Sequence, residues 1–220
     1  MLITICDVSS TSRVVIMLLS IAELQQHFDA HTPERYPKPS NIRAQASVAL
    51  ILCNQGGQSH VCMIKRTSRD DDRWSGHMAL PGGRASLEDP SPVEVAVRET
   101  HEEVGLILKP DTQLIGSLDE LQLLHHGDQN QGVLSPHVFA MTSNTLPTLV
   151  PDPREVAQSY WIPLETLFDP GSAITHTFED RRSQEVMSFP ALQAQGEIIW
   201  GLTYRVLFNF ASVIQRTLPL

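Results

Sequence analysis

The chain has 220 residues, 41% of them hydrophobic and 19% charged, with 16 basic against 25 acidic side chains and a formal charge of −9. That length supports one sizeable core, or one domain with extensions, and the composition is that of an ordinary globular protein. The acidic balance excludes a general nucleic-acid grip, which needs a basic stripe, and an anionic ligand would be repelled unless a metal ion or a local arginine cluster reverses the field.

The apolar run over residues 14–22 is too short to span a bilayer. No clean small-x-small cleavage site follows it, so Met17 is read as the working start and residues 1–16 as an extension, rather than as a signal peptide. Ile21, Leu24 and Phe28 then recur at helical spacing, with Ser20 and Glu23 as a cap pair. This predicts a short amphipathic helix, followed by an extended linker at Pro33, Pro37 and Pro39. Residues 1–40 are therefore read as an N-terminal extension and 41–220 as the main domain.

Arg43 to Cys53 and His60 to Lys65 are strand-like and flank the turn Gln55-Gly56-Gly57-Gln58, a hairpin. The three cysteines, Cys6, Cys53 and Cys62, have no metal-binding spacing. Buried free thiols in a reducing, cytoplasmic setting are expected. Arg66 to Gly76, with Arg66, Arg69, Asp70, Asp71, Asp72 and Arg73, reads by default as a solvated loop.

The stretch from Leu80 to Leu106, LPGGRASLEDPSPVEVAVRETHEEVGL, organises the rest. Ser91 is placed as N-cap, Pro92 at the first helical position and Glu94 as the partner in a capping box. Gly105 suits the left-handed residue that closes a helix, so the helix is expected over Pro92 to Val104. At about 100° per residue, Val93, Val97, Thr100 and Val104 share one side, while Glu99, Glu102 and Glu103 fall on the other. Like charges at these spacings repel by a few tenths of a kcal/mol, so helix stability gives no reason for them. A solvated acidic face is the bland account. Beside a Gly-Gly turn, clustered carboxylates equally form a site for a hard divalent cation such as Mg²⁺.

Downstream, Gln113 to Leu124 and Gly132 to Thr142 are strand candidates around a polar turn in which His125 and His126 read as surface residues. Leu146 to Asp152 is a Pro-punctuated loop, and Arg154-Glu155-Val156 leads into Tyr160-Trp161-Ile162-Pro163-Leu164. Ile174 to Phe189 reads as two strands about the turn 179–182. The end, from Glu197 through Trp200 and Tyr204, passes into a helix reaching about Thr217. Trp200 and Tyr204 either line a pocket or belong to the core.

The 80–106 stretch resembles the Nudix box, G-x5-E-x7-R-E-U-x-E-E-x-G-U with U aliphatic. Gly82 and Glu88 match its opening, and Arg98-Glu99-Thr100-His101-Glu102-Glu103-Val104-Gly105-Leu106 matches its end. Nine residues stand between Glu88 and Arg98 instead of seven, and Thr100 replaces an aliphatic residue. Counting from Gly83 instead makes Asp89 the loop acid, so that position stays open between Glu88 and Asp89. The longer loop is similar to the branch of the family that hydrolyses coenzyme A and its derivatives. Arg66, Arg73 and Gly76 resemble that branch's residues ahead of F-P-G-G, where this chain has Leu80. Ile199-Trp200-Gly201-Leu202-Thr203 is similar to its C-terminus.

The resemblance implies an α/β fold, a Nudix-type α/β/α sandwich with a mixed β-sheet. It implies hydrolysis of a diphosphate in a small-molecule nucleotide substrate, with Mg²⁺ or Mn²⁺ on Glu99, Glu102, Glu103 and the Gly83 backbone carbonyl. It assigns Arg98 to holding a box carboxylate, Glu155 to the metals or to water activation, and Arg66 and Arg73 to substrate phosphates. Coenzyme A or an acyl derivative is the expected substrate, with ADP-ribose or a dinucleotide as the alternative. A nucleotide-binding module without turnover is the reading of a different class. Family members are commonly homodimers, although no stretch here marks an interface. No membrane or nucleic-acid partner is expected.

Overall fold

The computed structural model describes residues 18–39, 41–69, 74–123, 132–179 and 186–220. Residues 1–17, Arg73, His125 and His126 fall outside it, and with them the readings of a start at Met17, of a phosphate-binding Arg73 and of the paired histidines.

Helix α1 (Ile21–Asp29) starts on the expected reciprocal cap between Ser20 and Glu23. Strands β1 (Gln45–Gln55) and β2 (Gln58–Arg66) form the expected hairpin. Two short strands follow, β3 (Met78–Ala79) and β4 (Gly82–Arg84), which lead into helix α2 (Pro92–Val104). The expected strand over 113–124 is instead two, β5 (Thr112–Ser117) and β6 (Leu121–Leu123). They are interrupted where Leu118 and Glu120 are buried. Strand β7 (Gly132–Met141) pairs with both.

The remainder comprises β8 (Val156–Pro163), α3 (Leu164–Phe168), β9 (Ala173–Glu179), β10 (Val186–Ala194), β11 (Glu197–Ile199) and α4 (Gly201–Val213). Helix α4 ends short of the expected Thr217, with Ile214 as its C-cap.

The main sheet runs β3-β2-β1-β7-β5, with β4 also on β1, β6 on β7 and β8 on β2. Strands β1 and β7 are parallel and the other pairs antiparallel, so the sheet is mixed. Alternation along the strands sends Leu50, Leu52, Val61, Met63 and Ile162 to one face, under α1, α3 and α4. Ala49, Ile51, Cys62, Ile64 and Phe139 go to the other, where Ala96 and Val104 of α2 cover them. Strands buried on both faces read as continuous apolar runs, as Val48 to Cys53 does. The result is the expected α/β/α sandwich. A second antiparallel sheet, β9-β10-β11, adjoins it, tied by Lys65 of β2 to Glu197 of β11 at 2.8 Å.

Cys53 and Cys62 are free and buried, and burial pushes the Cys62 thiol above its usual range. Tyr204 belongs to the core, 5% exposed, and its hydroxyl donates to Pro219 O. Among the described residues no helix is long and apolar enough to cross a membrane.

Candidate active site

The box helix α2 begins as expected. Ser91 Oγ accepts the Glu94 N–H, Pro92 follows, and Gly105 closes the helix at φ 71°. The expected reciprocal half of the capping box gives way to a tertiary contact, in which the Glu94 carboxylate takes Lys109 Nζ at 2.8 Å. Thr100, where the family pattern has an aliphatic residue, is wholly buried. Its hydroxyl donates to Ala96 O one turn back at 2.7 Å, which satisfies the buried polar atom locally.

Facing α2, the turn Pro81-Gly82-Gly83 is pinned to β1. Ala49 N–H donates to Pro81 O at 2.8 Å, and Gly82 and Gly83 lie opposite Val48 and Ser47. This approach requires glycine. A Cβ on Gly82 would overlap the backbone of β1, and one on Gly83 would overlap the carboxylate of Glu99. Glu99 is thus seated directly on the Gly83 backbone.

Glu103 goes against the bland account of this face as solvated acids. It is 3% exposed, and its Oε2 accepts the Gly82 N–H at 2.8 Å. The wheel counts only the helix, whereas the glycine turn and β4 cover that flank. Burial pushes the Glu103 carboxyl up to about 8, opposed by the Gly82 hydrogen bond and reinforced by the negative charge of Glu99. Burial likewise raises Glu99, against the pull of Arg98 and with added repulsion from Glu102. Glu102 remains exposed.

Arg98 ties this cluster to the preceding loop. Its Nε and Nη2 bind Asp89 Oδ1 and Oδ2 at 2.9 Å each, while Nη1 reaches Glu99 at 2.9 Å and Glu102 at 3.0 Å. Nη2 also donates to Arg84 O. These contacts choose Asp89 over Glu88. The Asp89 carboxyl is held down at about 2 by the Arg98 hydrogen bonds, whereas Glu88 lies exposed on the turn. The signal for Asp89 was the count from Gly83.

Two further expected residues converge on the same place. Glu155 lies in the turn before β8, docked by Asp152 N–H on Glu103 O and by Thr67 N–H on Glu155 O. Its charge raises both Glu99 and Glu103. Arg66, at the end of β2, opposes that repulsion at Glu103. Sequence and fold thus bring Arg98, Glu99, Glu102, Glu103, Gly83, Glu155 and Arg66 together.

The donor chemistry suits a hard divalent cation, with a buried and a half-buried carboxylate that repel one another and further acids at the rim. Among the described residues no three His, Cys, Asp or Glu side chains are already gathered into a ligand set. Arg98 and the Gly82 N–H hold the carboxylates in the meantime. Mg²⁺ needs only one or two carboxylates and retains waters, so the residues present fit it.

Comparison with known proteins gives the family. A NUDIX domain model matches residues 43–183. This chain belongs to the Nudix family. It is 34% identical over 172 residues to an uncharacterized protein of Schizosaccharomyces pombe, covering 70% of this chain and half the length of that relative. It is 29% identical over 180 residues to the uncharacterized Nudix hydrolase NudL of Pectobacterium atrosepticum, covering 80% and 86% of the two chains. The human mitochondrial coenzyme A diphosphatase NUDT8 is 27% identical over 168 residues, covering 76% of this chain and 68% of that one. In fold, a MutT/nudix family protein from Enterococcus faecalis superposes with a TM-score of 0.50 at 18% identity, over 90% of this chain and 70% of that chain. The chain is accordingly an enzyme of the Nudix pyrophosphohydrolase type. The expectation of a cytoplasmic location gains nothing from these Nudix relatives, one of which is named mitochondrial and another, from Caenorhabditis elegans, peroxisomal.

Proposed function

We propose that this Nudix enzyme hydrolyses the diphosphate of coenzyme A or an acyl derivative, giving adenosine 3′,5′-bisphosphate and phosphopantetheine or its acyl form. The observation that carries the diphosphate chemistry is the mutually repelling pair of half-buried Glu99 and buried Glu103, pressed against the glycine turn and raised further by Glu155. The named diphosphatase relatives, the long box loop and the Ile199–Thr203 stretch support the coenzyme A assignment.

Glu99, Glu102, Glu103 and the Gly83 carbonyl would hold Mg²⁺ or Mn²⁺, which would supply positive charge to the diphosphate oxygens and make the attacking water more acidic. Arg98, anchored on Asp89, keeps Glu99 and Glu102 in position, the role of an orienting partner around a metal site. Arg66 brings a guanidinium suited to phosphate oxygens beside Glu103. Arg73 shares that task on the strength of the sequence resemblance alone. Glu155, whose charge reaches Glu99 and Glu103, would take a proton from water as its oxygen bonds to phosphorus. The bond from that phosphorus to the bridging oxygen breaks, and the departing phosphate keeps the electron pair.

Product analysis tests the assignment. Purified protein with Mg²⁺ or Mn²⁺ is incubated with coenzyme A, acetyl-coenzyme A, ADP-ribose, NADH and diadenosine tetraphosphate, beside a Glu102→Gln variant. Adenosine 3′,5′-bisphosphate from wild type, reduced about 10²-fold or more in the variant, is the expected result. AMP from ADP-ribose or NADH with coenzyme A untouched would overturn the substrate. No product from any of them would favour a binding module.

A further inference from the structure

Arg69 belongs to the stretch that reads by default as a solvated loop, and its side chain does lie exposed. Its guanidinium is nevertheless engaged with backbone, because Nη2 donates to Arg154 O, the carbonyl just ahead of Glu155. Two residues earlier, Thr67 donates twice to the same turn. Its N–H meets Glu155 O at 2.9 Å and its Oγ1 meets Pro153 O at 3.2 Å. Three successive carbonyls, those of Pro153, Arg154 and Glu155, are thus held by the short segment that follows β2.

The turn itself is folded on Asp152. Asp152 Oδ1 accepts the Arg154 N–H at 2.9 Å, and its carbonyl takes the Glu155 and Val156 N–H groups at 3.0 and 2.8 Å. On its other side the turn is tied to the box helix. Val150 N–H and Asp152 N–H donate to Val104 O and Glu103 O at 2.9 and 3.0 Å, carbonyls of the kind a helix end leaves without an internal partner.

Strand β8 then begins with an irregularity. Gln158 lies opposite Lys65, but Val156 rather than Ala157 lies opposite Arg66. Strict alternation would give Val156 the face of Tyr160 and Ile162, whereas the extra residue turns it into the cluster beneath α2. The chain entering β8 is thereby brought to the box carboxylates, with Glu155 leading it. Glu155 is exposed, so its carboxylate is placed by where its backbone stands rather than by side-chain packing.

We propose that Arg69 is a positioning residue which, with the Thr67 contacts, clamps the 152–155 turn against the end of α2 and so holds Glu155 at the reacting water. This rests on the reading of Glu155 as the acceptor of that water's proton. Misplacing a reacting group by about 1 Å costs up to about 10²-fold in rate. Because the clamp meets main chain rather than substrate, its loss lowers kcat and leaves KM alone. A carbonyl asks its partner for one donor, which lysine also supplies, so this contact tolerates Arg69→Lys as the fork at Arg98 does not.

A double-mutant cycle between Arg69→Met and Glu155→Gln is the test. It is run with Mg²⁺ on whichever of coenzyme A and ADP-ribose the wild type hydrolyses, so that a wrong substrate assignment leaves it standing. Glu155→Gln is expected to lower kcat by about 10²-fold or more, the usual worth of a general base. Arg69→Met should lower kcat by about tenfold, the low end for an orienting partner, with KM within about twofold of wild type. Arg69→Lys should recover most of that loss. In the Glu155→Gln background, Arg69→Met should change kcat by less than about twofold, since a residue acting only through another has nothing left to position. Equal losses in both backgrounds, or full rate in Arg69→Met alone, overturn the clamp and leave Glu155 as the base. A loss confined to KM would make Arg69 a substrate contact and also overturn it. Full rate in Glu155→Gln, or no turnover of either substrate by wild type, removes the base assignment and the clamp together.

Discussion

Arg98 grips Asp89 with two parallel hydrogen bonds of 2.9 Å while its third nitrogen holds Glu99 and Glu102. One guanidinium therefore couples the loop ahead of the box helix to the carboxylates on it. A fork-to-fork pair fixes orientation as well as charge, and lysine lacks the geometry to replace it. The two extra loop residues are absorbed without loss of this contact, because the acid that meets Arg98 is Asp89.

Asp89→Asn should therefore impair catalysis without touching substrate. The amide still accepts from Arg98 at one atom but presents an N–H at the other, so the fork turns and Glu99 loses its fixed partner. Removing an orienting group of this kind typically costs about 10–100-fold. The expected result is such a fall in kcat/KM, together with a higher Mg²⁺ or Mn²⁺ concentration for half-maximal rate. Glu88→Gln, on the exposed side of the same turn, should stay near wild type. Equal losses in the two variants would mean that Asp89 has no special place.

Gly83→Ala tests the seat of Glu99. The added methyl would occupy the space of the Glu99 carboxyl group, so the side chain must swing away from the turn. Overpacking of this kind costs about 1–3 kcal/mol, a modest fall in thermal midpoint. Activity should fall by more than tenfold, because the displaced carboxylate is one of the proposed metal donors. Unchanged kinetics in a stably folded variant would show that Glu99 does not work from this position.

Much of this was legible before any coordinates. The caps of α1, the start and stop of α2 and the β1–β2 hairpin rest on signals within a few residues, which the chain obeys. The helical wheel left Glu103 open between a solvated face and a cation site, because it sees one helix, and the covering turn is a tertiary partner. The choice of Asp89 over Glu88 needed the Arg98 fork, which no spacing rule supplies. Glu94 forsook its capping partner for Lys109, fifteen residues on, where sequence gives no cue. The break between β5 and β6 follows from Glu120, which turns inward to meet Lys38, Ser135 and the Tyr36 N–H.

That buried network predicts a pH dependence of stability. His137 is 3% exposed and its Nδ1 pairs with Ser117 Oγ at 2.9 Å. Burial, then the charges of Arg35 and Lys38, push its pKa down to about 4, with Glu120 pulling the other way. An unfolded histidine titrates near 6.5. Between those values the unfolded chain binds a proton that the folded chain refuses, so stability rises with pH across the window and is lost as pH falls from about 6.5 towards 4. The full effect is on the order of 3 kcal/mol. Thermal melts from pH 7 to pH 4.5 should show a shallower acid limb for His137→Gln than for wild type. Parallel curves would remove His137 as the cause.

The segment ahead of residue 41 offers a last test, of whether α1 is part of the core. Leu24 is 1% exposed and Phe28 7%, both within the core cluster shared with α4 and the main sheet. Gly116 of β5 makes room for Phe28, since a Cβ there would collide with the ring. The chain after α1 is strapped down as well, with Glu34 N–H on Asp119 and Lys38 on Glu120. Leu24→Ala should therefore cost about 2–5 kcal/mol, the range for emptying a buried leucine site. In urea this appears as a lower midpoint with an unchanged slope for one cooperative transition. An appendage that merely rests on the domain would leave the midpoint where it was, because its loss would be silent to the sheet. A single shifted transition, reported alike by tryptophan emission and by far-UV ellipticity, would make α1 a structural member of the catalytic unit, and truncations that remove it should then lose activity through stability rather than through chemistry.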